Sequence, residues 1–170
     1  ELTGMKSGVY KVTCQGFYRD GTFADAATLR NNATESLNSF IYINEATSPV
    51  KSIFADAQTT NTYGGSSTTV DGVTKYFPNS MTDASNYFNA GLYSGNSVKT
   101  IVTTGTVRIG VKKTATVSND WTIFDAFRLY YLGVDLTAIK TTITDKITVA
   151  KAIVGNMSSA AKAGLTKITA

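Results

Sequence analysis

Along the first 130 or so residues, apolar and polar side chains tend to alternate. Tyr10, Val12 and Cys14 alternate with Lys11, Thr13 and Gln15, and Val107, Ile109 and Val111 alternate with Arg108, Gly110 and Lys112. A period of two predicts strands with one face buried. The run 98–103 precedes the second of these, and Thr104-Gly105 between them predicts a hairpin turn. Residues 39–44 and 50–55 read as further short strands separated by Ser48-Pro49. Residues 121–132 read as a long aromatic strand with Phe127, Leu129 and Tyr131 on one face. Two stretches interrupt the pattern. Residues 57–75 are polar and Gly-rich and read as a long loop with a turn at Val70-Asp71-Gly72-Val73. Residues 82–90 read as a short helix, with Thr82 or Asp83 as N-cap and Gly91 beyond its end.

Near Gly133 the period changes. Leu136, Ile139, Ile143, Ile147 and Val154 recur at helical steps or their multiples, with Lys and Thr between them. Gly155-Asn156 marks a break, and Met157–Ala170 could begin a second helix bearing Leu165 and Ile168. The expected organisation is a β-sandwich module over 1–133 and a helical tail, or the start of a helical module, over 134–170. The tail's apolar stripe is expected to belong to a neighbouring module. Many short strands with turn signals between them indicate an all-β sandwich or barrel for the first part.

Composition narrows the chemistry. The 170 residues include no His, one Cys and 52 Ser, Thr and Asn. Lack of His excludes Ser-His-Asp and Cys-His catalysis and His-ligated zinc. One cysteine excludes an internal disulfide, and Cys14 reads as a small buried hydrophobe on its strand. The net charge of +4 is concentrated in the tail: residues 1–134 carry 11 Lys/Arg against 10 Asp/Glu. No basic run interleaves with aromatics, so no nucleic-acid partner is expected. No apolar run approaches the roughly 20 residues that span a bilayer, so no membrane insertion is expected. The chain starts at Glu1 and reads as a processed chain or an excised piece. Asp20, Asp71 and Asp120 sit in apparent turns, while Glu35 and Glu45 flank strands. No carboxylate pair suggests a glycosidase cleft, and the chain is not expected to be an enzyme.

The aromatics are more suggestive, because several fall where a strand meets a loop. Tyr18 and Arg19 end the first strand, Tyr63 lies in the Gly/Ser loop, Tyr87 is on the short helix, and Trp121 opens the last strand beside Asn119-Asp120. Aromatic faces stack on sugar rings while Arg, Asn and Asp bond hydroxyls. The expected ligand-binding residues are therefore Tyr18, Arg19, Tyr63, Tyr87, Asn119 and Trp121, although Tyr18 and Trp121 would also serve as core residues.

The segments Leu2–Val12, Gly16–Gly21 and Asp120–Tyr131, with Tyr76–Met81 and Val107–Val111 between them, resemble a recurrent pattern in secreted proteins of gut Bacteroidetes. Those modules are similar to galactose-binding-like jelly rolls, the fold of many carbohydrate-binding modules, and are often attached to glycan-degrading enzymes. The resemblance covers roughly residues 2–133. It implies a jelly-roll β-sandwich that binds glycan without catalysis, in an extracellular, cell-surface or periplasmic protein, with other domains of the parent chain as partners. The tail from Asp135 resembles the start of a small helical bundle that follows such modules. The one or two strands and Trp-containing stretch that usually precede the Leu-Thr-Gly segment do not appear here. In related calcium-stabilised jelly rolls an Asp placed like Asp125 helps hold a structural calcium, so the resemblance offers Asp125 as a metal ligand, although the acidic partner expected near the N-terminus is not visible. The alternative readings are a structural spacer or interaction domain of a multidomain surface protein, and a hydrolase fragment whose catalytic residues lie elsewhere.

Overall fold

A computed structural model of the chain describes residues 1–134 and 136–156. The expected second helix over Met157–Ala170 lies outside the described residues. The chain divides into two compact units at Gly133/Val134.

The first unit is rich in antiparallel sheet. Strand β1 (Gly8–Arg19) is the centre of a three-stranded sheet, flanked by β6 (Asn96–Val102) and β8 (Trp121–Tyr131). In a second three-stranded sheet, β2 (Ser39–Ile43) lies between β3 (Ala46–Pro49) and β7 (Ile109–Lys113). The inner faces of these sheets share one core, to which β1 sends Tyr10, Val12 and Cys14, β2 sends Ile41 and Ile43, and Val50, Val102 and Val107 close the ends. Cys14 is buried as its alternation implies, and desolvation raises its thiol pKa to about 11.

A second core lies against the opposite face of the upper part of β1 and β8. It is built by α1 (Phe23–Asn31), the hairpin of β4 (Ser66–Val70) and β5 (Val73–Phe77), and α2 (Met81–Asn89). Phe17 meets Ala26, Ala27, Ile53, Phe54, Phe77, Tyr87 and Tyr93 there. Two helices stand in this unit: α2 falls on the helix expected over 82–90, whereas α1 stands where none is expected. Helix α1 has no apolar period to betray it. Its signal is a capping box, in which Thr22 accepts from the Asp25 amide and Asp25 accepts from the Thr22 amide.

Other expectations also shift. Residues 50–55 are not a strand: only Ser52 bridges, in parallel, to Tyr18 before the chain turns. The strand lies just before, over Ala46–Pro49, and its terminal Pro is tolerated because β3 is an edge. The loop expected over 57–75 contains β4 and the start of β5, joined by the expected turn, whose Asp71 and Gly72 both have positive φ (51° and 77°). The hairpin expected at Thr104-Gly105 does not pair its strands. β6 pairs with β1 and β7 with β2, so the chain crosses from one sheet to the other, with Val107 buried in the core beneath. Helix α2 is capped by Ser80 rather than Thr82 or Asp83, because the Ser80 hydroxyl accepts from the Asp83 amide.

A bulge in β8 sets the geometry of everything that follows. Between Thr13/Arg128 and Gln15/Asp125 the register slips by one residue, and Ala126 has φ +53°. Above it Trp121, Ile123 and Asp125 lie on the outer face of the sheet. Below it Arg128 and Tyr130 do, while Phe127 and Leu129 pack inward.

The second unit, described by itself, contains α3 (Leu136–Gly155), which ends at the expected Gly155-Asn156 break. Among the described residues no helix is long and apolar enough to cross a membrane.

Candidate functional site

The upper end of β1 and β8 gathers four of the six residues singled out by sequence, and it engages them internally. Tyr18 is fully buried. Its hydroxyl accepts from Asn38 Nδ2 at 3.0 Å and donates to Asp120 Oδ2 at 3.1 Å, with Asp20 Oδ1 at 3.4 Å. Burial and these carboxylates hold the phenol well above its ordinary pKa. Asp20 also accepts from the Ser36 amide, and Asp120 pairs with Lys113, so both acids are committed to the structure. Arg19 lies over the Trp121 ring, 5.2 Å from its centroid. Its guanidinium donates to Asn79 Oδ1 at 3.0 Å, Gly21 O at 3.1 Å and Asn119 O at 3.3 Å. Trp121 is half-buried, in edge contact with Phe17 at 5.5 Å. Asn119 is exposed in a turn, φ +58°, with its side chain on Ser118 Oγ.

The remaining two residues form a separate pair. Tyr87 is buried and its hydroxyl donates to Tyr76 O at 2.9 Å. Tyr63, expected in a polar Gly/Ser loop, is half-buried with its ring 5.5 Å from that of Tyr87. Tyr18 and Tyr87 therefore offer no ring face to a ligand. Arg19 and Trp121 spend their facing surfaces on each other.

Asp125 is exposed, and its Oδ1 accepts from the Ala126 amide at 2.6 Å inside the bulge. Among the described residues no group of three or more His, Cys, Asp or Glu could hold a metal. The contact that the structure gives the Asp125 side chain is the one to the Ala126 amide, which closes the bulge.

The open surface lies lower on the same sheet. The second core covers the outer face of β1 and β8 only as far as Phe17 and Ile123. Below that the face continues in cross-strand rows: Gln15 beside Asp125, Thr13 between Ser97 and Arg128, and Lys11 between Lys99 and Tyr130. Tyr130 is 41% exposed. Where α2 meets the sheet, a groove of about 290 Å³ is lined by Gln15, Ser85, Phe88, Asn89, Phe124 and Asp125, among others. Next to it, sharing Gln15, an open depression of about 340 Å³ is lined by Thr13, Ser94, Ala126, Arg128 and Tyr130. Gln15 is fixed across the join by donating to Phe88 O at 2.9 Å. Half-open aromatic rings beside amide, hydroxyl and charged groups on a rigid sheet can stack a sugar ring and bond its hydroxyls.

Apart from Asp125, the residues of this strip lie away from the strand ends to which the sequence points. The signal was the polar phase of the alternation itself: Lys11, Thr13 and Gln15 on β1, with Arg128 and Tyr130 in the matching phase of β8. An aromatic in the outward phase of a strand whose inward phase is apolar is the residue to notice. Compared with family models, curated proteins and solved structures, the chain matches none of them.

Proposed function

We propose that residues 1–133 form a non-catalytic carbohydrate-binding module, a jelly-roll sandwich of the galactose-binding-like type, in a secreted or surface protein that processes glycans. One observation carries this reading: the open strip on the outer face of the first sheet. There the Tyr130 ring, Arg128, Gln15 and Asp125 run into the groove beneath α2. The aromatic provides a stacking plane and the flanking amides and charges provide hydroxyl partners, on strands rather than on loops. Two sheets on a common core and the resemblance of the end segments are consistent with the fold part of the reading.

Affinity electrophoresis of the full chain through gels containing single polysaccharides tests it. At least one polysaccharide should retard the protein, and Tyr130→Ala should release that retardation without shifting the melting temperature. A second reading, a structural spacer, is favoured by the closed bonding of Arg19, Tyr18 and the acids at the strand ends. No retardation by any polysaccharide would leave the spacer as the better account.

A further inference from the structure

The geometry points to a carboxylate-bearing polysaccharide as the ligand class of the open strip, a specification that rests on the glycan-binding reading above. Lys11 stands directly opposite Lys99 across one strand pair and opposite Tyr130 across the other. Arg128 occupies the next row, opposite Thr13. Like charges placed directly opposite one another in an antiparallel pair oppose folding. Among the described residues, none of the three cations makes an ion pair or a side-chain hydrogen bond.

The one acid in line with them, Asp125, is a row further up beside Gln15, with Oδ1 held by the Ala126 amide. The strip therefore concentrates positive charge that the fold does not neutralise, around its exposed tyrosine. A uronic-acid sugar answers both features. Its planar carboxylate matches the Arg128 fork or spans the lysine pair, and its ring C–H face matches Tyr130. A neutral sugar would leave all three cations as it found them. Thr13, Gln15 and Ser94 in the adjoining depression add neutral partners for hydroxyls, which a plain polyanion would not use.

Calorimetric titration of the full chain with polygalacturonate, neutral dextran and xylan, and inorganic polyphosphate is the test. Polygalacturonate should bind with an affinity that falls as salt is added. Lys99→Gln and Arg128→Gln should each weaken binding on the order of tenfold, the factor carried by one charge-assisted hydrogen bond. Lys99→Gln should at the same time leave the melting temperature unchanged or raise it, because it removes a repulsion. Equal binding of neutral polysaccharide, unaffected by either substitution, would overturn the anionic assignment and leave glycan binding standing. Polyphosphate bound as tightly as polygalacturonate would overturn it too, as generic polyanion attraction. Binding to no polysaccharide at all would remove the glycan reading itself.

Discussion

Asn96 is a buried polar side chain on which three segments converge, and replacing it with Ala isolates what they lose. Its Oδ1 accepts from the Lys51 amide at 2.8 Å, and its Nδ2 donates towards Gly16 O at 2.9 Å and Tyr93 O at 3.0 Å. The side chain thus joins β1, the segment after β3 and the approach to β6. In the Ala variant the Lys51 amide loses its acceptor, which costs about 1–3 kcal/mol for a buried donor. Tyr93 O keeps the Gly16 amide as a donor at 2.9 Å, so the loss on the carbonyl side is smaller. A total of about 3 kcal/mol follows. For a unit of 133 residues the unfolding entropy is about 0.28 kcal/mol/K, so the melting temperature should fall by about 10 °C. Differential scanning calorimetry and urea titration at pH 7 measure both quantities. Ser97→Ala is the control: it is the next residue, points to the other face of β6, and should stay within about 0.5 kcal/mol of wild type. Asn96→Asp keeps the Lys51 acceptor but aims a carboxylate oxygen at carbonyl oxygens. Its deficit should therefore shrink as pH falls and protonation restores a donor. An Asn96→Ala melting temperature within about 2 °C of wild type would refute the reasoning.

Ala126→Gly should stabilise the protein by about 0.5 kcal/mol, because relief of a left-handed Ala at φ +53° exceeds the added flexibility of the unfolded chain; urea midpoints decide the sign. Tyr63→Ala should lower stability by about 1–2 kcal/mol, through lost contact with Tyr87 and the second core, and an unchanged thermal midpoint would contradict that placement. The Cys14 thiol is raised from 9.0 to about 11 in the folded state. The unfolded chain therefore releases its proton first, and this contribution to stability is whole below pH 9 and declines as pH rises from there to about 11. Replacing Cys14 by Ala should remove that part of the alkaline decline in a pH series of urea midpoints. The native thiol should also resist a disulfide reagent at pH 8 until the protein is unfolded.

Local alternation carried the sequence reading as far as it could go. It found β1, β6, β7 and β8 because their inward residues face a common core, and it found the turn at Asp71-Gly72 because that turn requires two positive φ angles. It could not assign partners. β6 and β7 are neighbours in sequence, yet β6 pairs with β1 and β7 with β2 in different sheets, a choice made by long-range packing. Helix α1 escaped because FADAATLRN fully buries only two small side chains, Ala26 and Ala27, with Phe23 partly buried against Phe77, too short an apolar pattern to mark an inner face. The cover over the candidate aromatics is not legible in the sequence for a related reason. Tyr18 and Tyr87 look like ligand aromatics in sequence, but their hydroxyls are bonded in the interior, and only three-dimensional cover separates them from Tyr130.

The extra residue at Ala126 makes β8 a strand of two opposite parities. Upstream, odd-numbered positions look outward; downstream, even-numbered ones do. The halves are therefore under different rules of substitution although they share one continuous ladder with β1. Deleting Ala126 would merge the frames into one regular alternation, in which Arg128 and Tyr130 still look outward and Phe127 and Leu129 still pack inward. A one-residue deletion should therefore be tolerated at the bulge, whereas elsewhere in this strand it would turn the residues beyond it to the opposite face.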